Sequence, residues 1–129
     1  MDSTDTARSI RRLALEMVSR AGASHIGSSL SAADMLAVLY SGVLRLKPDA
    51  PDWPERDRFI MSKGHAAAAY YAALAKAGFF PETTLREYCA NGTWLSGHVT
   101  SKGVPGVELS TGSLGHGLPV GCGLALAAK

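Results

Sequence analysis

Each of the four histidines in this 129-residue chain lies close to glycine: His25 precedes Ile26-Gly27, His65 follows Gly64, His98 follows Gly97, and His116 sits between Gly115 and Gly117. Imidazole titrates near neutral pH, so such a ring can donate to a phosphate or carry a proton. A neighbouring glycine leaves the ring accessible and lets the backbone turn sharply. Taken singly, each histidine reads equally well as a surface residue or as support for a neighbour; four in glycine-bearing loops point to a shared ligand. His65 has the strongest local case. It closes a strand-like Arg58-Phe59-Ile60-Met61 and opens an alanine-rich helix, where free N–H groups and the helix dipole attract an anion. The alternative is that Gly64-His65 merely starts that helix. The run Thr111-Gly112-Ser113-Leu114-Gly115-His116-Gly117 is a second tight turn into a helix, but it matches neither the GxGxxG nor the GxxxxGK[ST] pattern. It serves either close backbone approach to a ligand or packing. Spacing assembles no acid pair, no Ser–His–Asp order and no metal cluster.

The elements that must position these loops follow from periodicity. Ile10, Leu13, Ala14, Met17, Val18 and Ala21 predict an amphipathic helix from about Thr4 to Ala21, stopped by Gly22. Ser31 with Asp34 resembles a helix start leading to Met35, Leu36, Leu39, Tyr40, Val43 and Leu44 on one face. Residues 47–57, with three prolines and several acids, predict a surface loop. Then come the short strand at 58–61, a helix over Ala66–Ala77 closed by Gly78, a short helix over Pro81–Cys89, a strand at Val107-Glu108-Leu109, and a last helix from Leu118 that tolerates Pro119 only in its first turn. Alternating helix and strand predict an α/β layer fold, a parallel sheet with helices on both faces.

Hydrophobic residues make up 47% and charged residues 19% of the chain, which is globular usage. The net charge of +2 is spread without a basic stripe and argues against a nucleic-acid partner. Unbroken apolar runs fall short of the roughly 18 residues of a membrane span. The start Met1-Asp2-Ser3-Thr4-Asp5 lacks the features of a secretory signal, and Cys89 and Cys122 sit in no metal or redox spacing. A cytoplasmic location is expected. The chain ends in an apolar helical pattern without a cap, so it is expected to be part of something longer.

At the glycine–histidine loops the sequence resembles the transketolase family. Ser24-His25-Ile26-Gly27-Ser28-Ser29-Leu30-Ser31-Ala32-Ala33-Asp34 is similar to the family stretch in which a histidine–glycine turn precedes the second helix. Met61-Ser62-Lys63-Gly64-His65 resembles its SKGH block, and Gly97-His98 with Gly106 to Gly117 resembles its GH and TGxLGxG segments. The four motifs occur in family order over nearly the whole chain.

The resemblance implies that residues 1–129 are the N-terminal part of a diphosphate-binding domain in an enzyme that uses thiamine diphosphate and Mg2+ to move a two-carbon ketol unit from a ketose to an aldose. It implies that His65 helps hold the diphosphate, that His25 and His98 face the reacting carbon and substrate hydroxyls, and that Gly112, Ser113 and Leu114 lie against the aminopyrimidine and thiazolium, with His116 nearby. Two positions depart from the family pattern: Val99 stands where proline is usual, and His116 where glutamine is common. The GDG…N segment that binds magnesium is expected beyond Lys129, leaving this chain no metal ligand of its own. The implied partners are sugar-phosphate or related ketose and aldose substrates and a C-terminal transketolase domain or subunit, in a homo- or hetero-oligomer. Other thiamine-diphosphate synthases, acting on deoxyxylulose phosphate or dihydroxyacetone, are a neighbouring reading. A non-catalytic remnant that only associates with a related subunit is another.

Overall fold

Helix α1 spans Ser3–Ala21 in the computed structural model, which describes residues 2–129. The Asp2 carboxylate accepts the Thr4 N–H at 3.0 Å and so caps the start. Gly22 closes the end in the left-handed region (φ 60°), which returns its N–H to Ser19 and that of Ala23 to Val18. Ile10, Leu13, Ala14, Met17 and Val18 form the buried stripe that the periodicity predicts.

Helix α2 (Ile26–Val38) starts five residues before the expected cap. Ser31 lies inside it, where its hydroxyl donates back to the Ser28 carbonyl at 3.0 Å. The buried face also differs from the expected one: Ser29, Ala32, Ala33, Leu36 and Ala37 are inside, whereas Met35 and Val43 are exposed. Small side chains allow α2 close to α1 and α3, and the bulkier residues are turned outward. The helix widens into a π turn at Leu39–Val43. By length and composition the run Ile26–Val43 would suffice to cross a membrane; here its alanine face packs into the core between α1 and α3.

A 3-10 turn at Gly64–Ala66 leads into α3 (Ala67–Lys76). All nine residues from Ala67 to Ala75 are buried, so α3 is apolar all round and forms the centre of the molecule. Its two tyrosines have fully buried rings, and both hydroxyls find partners. Tyr70 donates to the Gly106 carbonyl (3.1 Å) and accepts from the Tyr40 hydroxyl (3.3 Å). Tyr71 donates to the His98 carbonyl (3.1 Å) and accepts the Thr100 N–H (3.2 Å). Full burial of Ile10, Met17, Leu36 and Leu74 contributes about 1.5–3 kcal/mol each. A further 3-10 stretch covers Glu82–Glu87 in place of the expected short helix. Helix α4 spans Gly117–Ala127, with Pro119 in its first turn, and only Gly117 of it is buried.

The expected parallel sheet is not there. Among the described residues there is no strand; those assigned secondary structure are all helical. Residues 58–61 and 107–110 belong to no element, and no run of backbone bonds pairs the two stretches among the described residues. The Met61 carbonyl accepts the Thr111 hydroxyl (2.6 Å), and the Thr111 N–H goes to the Val99 carbonyl (3.0 Å). A ladder needs successive bonds between the same two segments. Side chains hold these stretches in its stead. The Phe59 ring meets Tyr40 and Tyr70 at 5.7 and 5.3 Å, and Glu108 is paired with Arg56 at 2.9 Å and Arg58 at 3.6 Å.

Candidate functional site

His25 occupies the position before α2 with φ 71°, a left-handed conformation that a non-glycine residue adopts at a cost of about 1–2 kcal/mol. That bend brings its ring, which is exposed, to the rings of two distant histidines. The His25 and His65 centroids are 5.3 Å apart and those of His25 and His98 are 5.7 Å apart, both edge to face. The sequence separations are 40 and 73 residues, so only the fold can account for the cluster.

The loop Ser62-Lys63-Gly64-His65 is the hub that assembles it. Ser62 accepts the Gly117 N–H at 3.1 Å and so fixes the start of α4. Lys63 reaches across to α2, donating its ammonium to the Ser31 hydroxyl (2.6 Å) and the Ser28 carbonyl (3.2 Å). The Gly64 carbonyl accepts the Val99 N–H at 3.0 Å. Gly64 also lies hard against the glycine-rich turn: a methyl group on it would come within 2.5 Å of the Thr111 carbonyl carbon and 2.8 Å of the Gly112 nitrogen. Only glycine permits that approach. Gly117 meets Ser62 just as closely, with 2.5 Å to the Ser62 Cβ for an added methyl.

Gly112 is exposed beside His98, 3.6 Å separating the His98 Cδ2 from where a Gly112 Cβ would stand. Ser113 and Leu114 continue as an exposed turn to His116, which precedes α4; among the described residues, the ring of His116 pairs with none of the other three. The structure thus brings His25, His65, His98 and Gly112 together, and strings Ser113, Leu114 and His116 outward from them. A cavity of about 380 Å3 opens beside the cluster, lined by His25 and His98 together with Ala23, Ser24, Tyr88 and Gly97.

Burial is the main influence holding the His65 imidazole below its ordinary pKa, followed by the charges of His25, Lys63 and His98. A neutral His65 keeps one nitrogen to donate and one to accept. Neither α2 nor α4 has a side-chain cap at its N-terminus, and His25 and His116 stand at those two starts. His65 lies in the turn that opens α3. Three helix starts therefore direct partial positive charge toward the loops that bear histidine, which suits an anion. Ser62, Lys63, Tyr71 and Thr111 stand in or beside the glycine–histidine motifs, but nothing in their spacing shows what they touch.

Comparison with known proteins places the chain in a family. The family model described as "Transketolase, thiamine diphosphate binding domain" matches residues 2–129. The chain is 42% identical over 129 residues to a 6-deoxy-6-sulfo-D-fructose transketolase subunit of Clostridium sp. (strain MSTE9), covering all of this chain and 47% of that protein. It is 49% identical over 125 residues to an apulose-4-phosphate transketolase subunit of Actinobacillus succinogenes, covering 95% of this chain and 45% of the relative. The solved transketolase from Leishmania mexicana superposes with a TM-score of 0.92 at 38% identity, over 98% of this chain and 19% of that one. The chain spans less than half the length of these subunit relatives and about a fifth of that transketolase. It belongs to the family of transketolase thiamine-diphosphate-binding domains.

Proposed function

We propose that this chain supplies the diphosphate-binding side of a thiamine-diphosphate-dependent transketolase, working in the cytoplasm with a C-terminal transketolase domain or subunit in an oligomer. The observation that carries the reading is the convergence of His25, His65 and His98 beside Gly112. The residues suit the cofactor. Imidazoles near helix starts fit a diphosphate, and an exposed glycine leaves main-chain atoms open to a flat ring.

In this reading His65 would donate to the diphosphate, and Gly112, Ser113 and Leu114, with His116 beside them, would hold the cofactor's rings. Bound thiamine diphosphate supplies the electron sink for breaking the bond next to a ketose carbonyl. His25 and His98, both exposed toward the cavity, orient the hydroxyls of the sugar and pass protons to and from its oxygen atoms. Among the described residues no group of three or more His, Cys, Asp or Glu side chains could hold a metal ion. The Mg2+ of such an enzyme would take its oxygen ligands from elsewhere, and no step here passes through it. The substrates are ketoses and aldoses carrying an anionic group. The names of the relatives suggest 6-deoxy-6-sulfo-D-fructose and apulose 4-phosphate as first donors to try.

The test begins with calorimetry of this chain alone and then of the chain joined by its C-terminal complement, each with thiamine diphosphate and Mg2+. Alone it should bind weakly and transfer nothing, because one charge-assisted hydrogen bond contributes only about 1.5–3 kcal/mol. The completed enzyme should bind in the micromolar range and transfer a two-carbon unit from at least one of four ketoses: the two above, fructose 6-phosphate and sedoheptulose 7-phosphate. His65→Ala should weaken cofactor binding, while His25→Ala should lower turnover and His98→Ala should raise the donor KM, each with cofactor still bound. A completed enzyme that binds cofactor but is inert with all four ketoses counts against the reading.

A further inference from the structure

Every polar backbone group from the His98 carbonyl to the Thr100 N–H is hydrogen-bonded. The His98 carbonyl accepts from the Tyr71 hydroxyl (3.1 Å) and the Ser96 hydroxyl (2.7 Å). The Val99 N–H goes to Gly64 and the Val99 carbonyl to Thr111, each at 3.0 Å. The Thr100 N–H goes to the Tyr71 hydroxyl at 3.2 Å. One oxygen, that of Tyr71, therefore clasps the segment on both sides of Val99. Tyr71 stands on the central helix α3 with no exposed surface, whereas Ser96 is exposed. Water can replace the Ser96 bond at the surface, whereas the Tyr71 hydroxyl ties the segment to the central helix, a link that water does not restore.

We infer that Tyr71 is a positioning residue for His98, its hydroxyl holding the backbone on which that imidazole is mounted toward the sugar-binding cavity. The inference rests on the role proposed above for His98. The His98 ring is exposed and lacks a side-chain hydrogen bond of its own among the described residues, so its aim is set by the main chain beneath it. Removing the Tyr71 hydroxyl leaves the half-buried Thr100 N–H without its protein partner and the His98 carbonyl with only the exposed Ser96, and the segment should relax away from α3. The ring of Tyr71 also meets that of Tyr88, a wall of the same cavity, at 6.3 Å, and phenylalanine preserves that contact.

The experiment compares Tyr71→Phe, His98→Ala, the double variant and Ser96→Ala in the completed enzyme loaded with thiamine diphosphate. The donor is fructose 6-phosphate, or whichever of the four ketoses above is turned over best. Tyr71→Phe should raise the donor KM by about tenfold with kcat within about twofold. Cofactor affinity by calorimetry should match the parent, and Ser96→Ala should leave KM nearly unchanged. In the His98→Ala background, Tyr71→Phe should have no further effect on KM, since coupled residues fail to add. An unchanged KM in Tyr71→Phe overturns the inference, as does an effect that persists without the His98 ring or an equal effect from Ser96→Ala. If His98→Ala itself leaves donor kinetics untouched, the role proposed for His98 fails, and an effect of Tyr71→Phe beside that result shows Tyr71 acting by another route.

Discussion

Val99 donates its backbone N–H to the carbonyl of Gly64 at 3.0 Å, and this one bond fastens the segment behind His98 to the turn behind His65. A proline at position 99 has no such donor. The bond is thus one that proline at this position could not make, and it links the two loops without any regular secondary structure.

Hydrogen exchange gives a direct check. The Val99 and Thr111 amides lie outside every helix, yet both are bonded between buried segments. They should exchange as slowly as amides of α3 and far more slowly than those of the exposed turn at residues 112–115. Fast exchange at both positions would falsify the picture of a fastened loop.

Gly64→Ala should be strongly destabilising. The added methyl meets backbone atoms of Thr111 and Gly112, which cannot rotate aside as a side chain can. Overpacking of this kind costs about 1–3 kcal/mol, seen as a lower denaturant midpoint with an unchanged slope. Gly27→Ala, with no atom within 4 Å of the added methyl, is the matched control and should unfold at nearly the parent midpoint.

The acid side of the stability profile should carry a signature of His65. Its folded-state pKa is lowered, chiefly by burial and then by His25, Lys63 and His98. The unfolded chain consequently binds more protons in the window between that lowered value and about 6.5. The contribution of His65 is present above the unfolded pKa and is lost as pH falls through the folded one. A histidine-ring NMR titration should place His65 below the ordinary value, and Lys63→Met should move it upward by removing one positive neighbour. A His65 ring titrating above 6.5 contradicts the assignment.

Glu108→Ala should destabilise the loop that carries Tyr70's partner Gly106. Glu108 and Arg56 are each about one-seventh exposed, and removing the carboxylate leaves the Arg56 guanidinium without its partner at 2.9 Å. An uncompensated charge so placed costs about 1–3 kcal/mol, below the figure for a fully buried pair because solvent reaches it. Urea unfolding of Glu108→Ala beside Glu108→Gln, which keeps one acceptor for Arg56, tests this; the glutamine variant should lose less.

The sequence was most legible where one residue type has one physical use. Gly22 closes α1 for a reason that is local, and the stripe from Ile10 to Val18 repeats at helical spacing, whereas the Asp2 cap at its start comes only from the structure. The same reasoning misplaced the start of α2, because the left-handed turn at His25 is not written in any capping side chain. It read strands at 58–61 and 107–109 from short apolar runs, which look alike whether they pair into a sheet or are held by Tyr40, Tyr70, Arg56 and Arg58. Pairing is a property of two segments and leaves no mark in either alone. At the site, the glycine–histidine loops stood out, yet their meeting point did not: it depends on a lysine crossing to α2 and on tyrosine hydroxyls rising from a helix that reads as simple alanine-rich core.

The left-handed bend at His25 has a consequence for how this protein can be improved by selection. Glycine there would relieve the backbone of about 1–2 kcal/mol and would meet no neighbour, yet it would delete the ring around which the cluster is arranged. Stability and chemistry pull in opposite directions at that one position. Heat-resistant variants raised without a screen for turnover should accept glycine at residue 25, as at Cys89, the other non-glycine residue at positive φ, whereas a screen that couples both traits should hold the histidine and gather its gains elsewhere.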